Sequence, residues 1–528
     1  MPAGKLDAVQ VMNETLFFGA PLSLSTFALA SLLIVVVWWL LRWVPGAPVP
    51  GLPFQPRLHK PIIGCAAELQ ETIGGLKKLC VDNANDDGIS SFRLISTPVV
   101  SVLKAEHARK VLLASNYRHE PSLINKPLAA FLGNKALVML MHDEWKAHRY
   151  VISRAFHFQH LKGMVGDMVE VADALAQRIV DPKNSLSTRG VNMFSSLKLA
   201  TLDIIGLTAF GYRFNTVKTG SHPVVDAFEW LLDETTRRQF KAPLSPEVMC
   251  TALPTANNRR FSKESRVLRS CIDGIVASRI AEGSANDHED LLKYMLEARS
   301  EGQAEGVGAD KKMSITDEAL TDNLLTLLFG GFDTTSIALA YTLYSVAQHP
   351  DVEALALAEI LRVVGPVRSM TYEHVGELKY CQAVITEALR LYPPAPLTVR
   401  TLEQPMRLTE GGPLLPEGTM MCLPLWWIHR SELNWGLDAA LFRPERHLES
   451  TEGIKTKSSF RMIAFSGGQR NCPGQRFAML EATVLFATLI RTATFTVAEE
   501  SANLLPVSSG VVQKPKSGEL WMHVKARK

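Results

Sequence analysis

The chain has 528 residues, 47% of them hydrophobic and 21% charged, which supports a large buried core and excludes a disordered or fibrous protein. A net charge of +3, with no dense Lys/Arg stripe, argues against a nucleic-acid partner. The seven cysteines (65, 80, 250, 271, 381, 422 and 472) form no CxxC pair and no Cys/His group with zinc spacing, so free thiols in a reducing compartment are expected.

In chain order, the first signal is the uncharged run from Thr15 to Leu41. About twenty apolar residues span a bilayer, so residues 22–44 are predicted to be a transmembrane signal anchor behind a short lumenal segment, 1–21. Trp38, Trp39 and Trp43 stand where a cleaved signal peptide would carry small residues. Arg42, Arg57 and Lys60 follow the span, which leaves the body of the protein in the cytosol. The sequon at Asn13 then falls on the lumenal side, against the membrane. Residues 45–61 are rich in proline and predict a semi-rigid hinge. The remainder, 62–528, shows no internal repeat and reads as a single α-rich domain with minor sheet. Strands are expected near Ser90–Leu103 and at the C-terminal end.

Within this body, Trp145 and Arg149 share one helical face. Ser314 and Asp317 have capping-box spacing and open a long apolar helix that His349-Pro350 ends. Its middle carries Gly330, Gly331, Asp333 and Thr334, although each mid-helix glycine costs about 1 kcal/mol relative to alanine. Two readings stay open there: a close helix crossing with Asp333 facing water, or a helix passing over a ligand where an acid and a hydroxyl relay protons. Glu387 and Arg390 lie three apart on one face, either as a surface ion pair or, with Arg446, as a buried cluster. Finally, Phe465 to Gly474 puts Cys472 between glycines and Pro473, which reads as the first-turn proline of an apolar helix over 475–491. A helix start favours a thiolate. A lone cysteine is also often an inert buried thiol.

Taken together these segments resemble the cytochrome P450 family. Phe465, Gly468, Arg470, Cys472 and Gly474 fit its cysteine loop, Gly330 to Thr335 its long-helix motif, and Glu387 with Arg390 its E-x-x-R. Pro444-Glu445-Arg446 and Trp145-x-x-x-Arg149 fit two further motifs; His447, where the family usually has Phe or Trp, departs from the pattern as a matter of packing. The resemblance implies a mainly α, P450-like fold and haem b, with Cys472 as axial thiolate ligand to the iron. Trp145, Arg149, Arg400 and Arg470 would hold the propionates, Phe465 would pack beside the sulfur, Gly474 would let the backbone approach the haem, and Asp333 with Thr334 would deliver protons during oxygen activation. It also implies electrons from an NADPH-dependent reductase docked near Lys146 and Arg154, and an endoplasmic reticulum membrane location. The substrate expected is a lipophilic small molecule (a fatty acid, terpenoid or steroid) lined by the 121–134 loop, Phe329, Phe332, Pro396 to Val399 and 508–512. A haem-thiolate isomerase or dehydratase and a membrane-anchored haem sensor are the alternatives; the intact Thr334 and cysteine loop speak against the first, and Asp333 with Thr334 against the second.

Overall fold

The computed structural model describes residues 31, 48–59, 64–65, 68, 72–94, 97–114, 122–182, 189–241, 248, 250–282, 290–303, 315–448, 460–504, 506–508 and 512–527. The chain divides into two compact units, Met1–Gly46 and Ala47–Lys528. Only Ser31 of the first is described, so the expected lumenal segment, the sequon and all of the anchor but Ser31 lie outside the described residues.

The second unit is mainly helical. Its longer helices are α1 (Ala105–Ala114), α2 (Ser122–Leu132), α3 (His142–Ala155), α4 (Phe158–Val180), α5 (Met193–Phe210), α6 (Pro223–Thr236) and α7 (Ala256–Glu282), followed by α8 (Leu291–Gln303), α9 (Asp317–Ala347), α10 (Pro350–Val363), α11 (Lys379–Leu391) and α12 (Gln475–Thr492). One four-stranded sheet has the order β1 (Ile89–Leu94), β2 (Thr97–Val102), β5 (Met420–Leu423), β4 (Thr398–Thr401). Its β2–β5 pair is parallel and the other two are antiparallel. A second sheet has the order β3 (Val191–Asn192), β9 (Trp521–Ala526), β6 (Ala493–Val497), and β7 (Pro506–Ser508) pairs with β8 (Gln513–Pro515).

Helix α9 runs through the core without a break. Thr316 caps it by accepting from the Ala319 N–H, and Asp317 and Glu318 complement the helix dipole in the first turn. The cap therefore falls at Thr316, two residues beyond the Ser314 expected from the sequence. Pro350 ends the connection by opening α10 at its first turn, as expected. By length and composition both α5 and α9 could cross a membrane, but both are mostly buried among other elements of the unit.

Those two helices pack tightly on each other. A Cβ on Gly331 would lie 2.8 Å from the Ile205 side chain, and the Thr201 hydroxyl donates to the Phe332 carbonyl at 2.8 Å. At Gly330, by contrast, an added Cβ meets nothing within 4 Å. Each reading of the glycine pair thus holds at one residue: Gly331 serves the crossing and Gly330 opens a space. The expected 121–134 loop is a correction, because 122–132 is helix α2. The helix holds despite Pro127 inside it, because Phe131 and Leu132 are buried in the core and Leu128 packs against it.

Candidate functional site

The loop before α12 is shaped by backbone geometry. Ser466 and Gly468 have φ of 61° and 70°, and a Cβ on Gly468 would sit 2.1 Å from the Leu112 carbonyl oxygen, which leaves room only for glycine. The Cys472 N–H donates to the Phe465 carbonyl at 2.9 Å and closes the loop. Helix α12 begins at Gln475 with Gly474 as its N-cap. Pro473 is therefore in the turn before the helix, not in its first turn, because Gly474 itself is non-helical.

This loop borders a cavity of about 340 Å³, within the size range of small-molecule and cofactor sites. Cys472, Trp145, Arg149, Thr334, Phe465, Arg470 and Gly474 all line it, gathered from α3, α9 and the cysteine loop. Arg149 donates to the Asn471 carbonyl at 2.7 Å and to its Oδ1 at 2.8 Å, tying α3 to the residue before the cysteine. The Arg470 guanidinium lies 3.9 Å over the Trp145 ring. The Thr334 hydroxyl donates to the Gly330 carbonyl at 2.6 Å, one turn back on the helix.

Two expected site residues are not on the cavity wall. Arg400 is buried behind it, donating to Ser466 Oγ at 3.1 Å, to Thr398 Oγ1 and to the Val399 carbonyl. Asp333 is turned toward α5, where its Oδ1 is 3.5 Å from Lys198 Nζ. The sequence offered Asp333 either water or the ligand; in the structure it faces neither, because a buried carboxylate is satisfied best by the nearest cation. Of the expected substrate contacts, Phe329, Leu397 and Thr398 line the cavity. Phe332 does not: it packs on Phe228 at 5.2 Å. In the 508–512 stretch, 509–511 lie outside the described residues and Val512 is buried in the core.

Electrostatics follow burial. Burial pushes the Cys472 thiol up from its ordinary pKa, opposed by a hydrogen bond from the Gly474 N–H and by Arg149. Burial also lowers the Arg149 pKa, opposed by Cys472. The Asp333 carboxyl is raised by burial against the pull of Lys198. Burial disfavours the Lys198 cation, but Asp333 and Glu229, the latter at 2.5 Å, outweigh it and raise that pKa.

Glu387 and Arg390 are fully buried, not a surface pair. Glu387 accepts from Arg390 at 2.7 and 2.8 Å, from the Arg443 N–H at 2.9 Å and from Arg446 at 3.0 Å. His447 Nε2 bonds its other side at 2.8 Å, so the departure at His447 supplies a hydrogen bond as well as packing. Arg390 reaches on to the carbonyls of His429, Ala439 and Leu441, fixing the chain around the site.

Sequence reasoning passed over Asn471, Ser466, Lys198 and Glu481. For the last two a signal existed: each is a charged residue inside an apolar helix, which requires a partner or a neutral form.

A family model described as Cytochrome P450 matches residues 53–522. The chain is 30% identical over 447 residues to "11-oxo-beta-amyrin 30-oxidase" of Glycyrrhiza uralensis, covering 83% of this chain and 81% of that protein. It is 29% identical over 432 residues to "Cytochrome P450 72A15" of Arabidopsis thaliana, covering 81% and 80%. A third relative, "Probable cytochrome P450 4d20" of Drosophila melanogaster, is 29% identical over 395 residues, covering 72% and 76%. With a match across nearly the whole second unit and one cysteine set into the wall of a cavity, the chain belongs to the cytochrome P450 family of haem-dependent monooxygenases.

Proposed function

We propose that this chain oxidises a hydrophobic small molecule (a fatty acid, terpenoid or steroid-like compound) at the endoplasmic reticulum membrane, with electrons from an NADPH-dependent reductase. The observation that carries the reading is the cavity wall. Among the described residues its charged side chains are Arg149 and Arg470, while Leu137, Ile205, Leu327, Phe329 and Leu397 give it apolar faces around Cys472 and Thr334. Such a wall favours uncharged ligands that partition from a bilayer.

The donor set fits haem. Among the described residues there is no group of three or more His, Cys, Asp or Glu able to hold a metal. A metal at the single Cys472 thiol must then bring its own ligands, as a macrocycle does. Arg149 and Arg470, on the same wall, suit its carboxylates, and Gly330 leaves α9 open above. Haem bound there would supply oxygen activation, with Cys472 as a thiolate ligand that favours O–O cleavage. The protein's part is to hold Cys472 by its N–H to Phe465, to orient Arg149 through Asn471, and to place the Thr334 hydroxyl at the cavity for proton transfer. Lys146 and Arg154, exposed on α3, are the proposed reductase contacts.

The test is the absorption spectrum of the reduced protein with carbon monoxide. The expected result is a strongly red-shifted Soret band that Cys472→Ser abolishes; a histidine-type band, or no band, would overturn the assignment. Displacement of an iron-bound water by lipids from a compound library then reads the substrate class, and shifts produced only by polar compounds would refute it.

A further inference from the structure

Glu481 lies in the middle of α12 with 0% of its surface exposed. Among the described residues neither of its carboxyl oxygens has a hydrogen-bond partner, and neither has the hydroxyl of Thr335 on α9. The two side chains are neighbours. Neither satisfies the other with a hydrogen bond, yet the hydroxyl is close enough to favour the ionised acid. Burial is the larger influence and pushes the carboxyl well above the usual range, favouring the protonated acid.

The position of this pair is informative. Thr335 lines the cavity, and so do Ala478 and Ala482, which flank Glu481 on α12. The carboxyl is therefore directly behind the wall. An α-helix turns about 100° per residue, so Asp333 and Thr335 point to nearly opposite sides of α9. Asp333 faces α5 and is paired with Lys198. Thr335 faces α12 and the cavity. The acid that the sequence nominated is engaged on the far side of the helix, while an acid it passed over lies unbonded on the near side. A buried, unbonded carboxyl is costly, so packing alone does not account for an acid here.

We propose that Glu481, acting through Thr335, is a second proton-donating station on the cavity wall, separate from Asp333 and Thr334. The use of that proton rests on the monooxygenase reading: reducing one atom of O2 to water consumes protons, with electrons from the reductase. Once a side-chain rotation closes the hydrogen bond between them, the Glu481 O–H bond breaks, and the Thr335 hydroxyl accepts this proton while passing its own into the cavity. The carboxylate left behind recovers a proton from cavity solvent by the reverse relay. Burial disfavours the carboxylate and drives that recovery.

Infrared difference spectroscopy of the reduced holoprotein, before and after photolysis of bound carbon monoxide, tests this. The expected signal is the carbonyl stretch of a protonated carboxyl, shifted in D2O and displaced by photolysis. It should vanish in Glu481→Gln and change frequency in Thr335→Val, which preserves side-chain volume and keeps the test open if the first variant does not fold. A band that survives in Glu481→Gln, or one that photolysis and Thr335→Val leave unmoved, makes Glu481 a packing residue and overturns the proposal. A normal thiolate–carbon monoxide Soret band with no carboxyl band sinks this proposal alone. Loss of that Soret band takes the haem assignment down with it.

Discussion

Glu387 meets four donors in a place with no exposed surface. Burial by itself would raise its pKa, but the hydrogen bonds from Arg390 and His447 win and hold it at about 2, against 4.5 for an unperturbed carboxyl. Because the folded value is the lower one, this carboxylate stabilises the fold fully above the unfolded value, and the contribution is lost as pH falls through the folded value. The shift corresponds to about 3 kcal/mol. Denaturant melts across acidic pH should show Glu387→Gln destabilised near neutrality by about 3–5 kcal/mol, since it strands buried cations, with the gap to wild type closing toward pH ~2. A gap that does not change with pH would mean that Glu387 is not ionised in the fold. The pairing of Glu387 with Arg390 was legible because three residues along a helix is a local relation. The direction taken by Asp333 was not, because it depends on Lys198 in another helix, and the isolation of Glu481 depends on which faces of α9 and α12 meet.

At the level of elements, α9 holds a controlled comparison in two adjacent glycines. Alanine at Gly331 would drive a methyl to 2.8 Å from Ile205 in a closed helix crossing, so a loss of about 1–3 kcal/mol is expected. Alanine at Gly330 meets only open space and should gain about 0.5–1 kcal/mol from helix propensity. The same methyl narrows the cavity and should weaken the binding of bulky ligands. Thermal melts of the two variants, with ligand titration of the second, check this; equal melting shifts would remove the asymmetry. Helix α9 was legible from its apolar length and its proline stop, and only its cap moved, to Thr316. The strands β4 and β5 escaped because four residues carry no readable alternation and β5 is placed by a parallel pairing with β2, far away in sequence. Helix α2 was mistaken for a loop because its turn-forming residues are local, whereas the burial of Phe131 is tertiary.

For the whole molecule, the division of the chain after Gly46 makes a prediction about expression. A chain beginning at Ala47 keeps all of the second unit, including every residue of the cavity wall. It is expected to fold and to give the same reduced carbon monoxide spectrum as the full chain, while sedimenting with membranes less. Aggregation without haem uptake would show that the second unit needs residues 1–46 to fold. Most of the architecture followed from the resemblance of ordered motifs, which are spaced along the chain and need no tertiary information. The orientation of single polar side chains did need it.

The buried charges of α5 and α9 have a consequence that begins before the fold exists. To an insertion machinery reading the emerging chain, both segments pass for membrane spans by length and apolarity. Lys198 and Asp203 interrupt the first, and Asp322 and Asp333 the second. Each charge at the centre of a span opposes insertion by roughly 2.5–3.5 kcal/mol. Lys198 and Asp333, which end up paired in the core, are thus each expected to disfavour insertion of their helix while still unpaired.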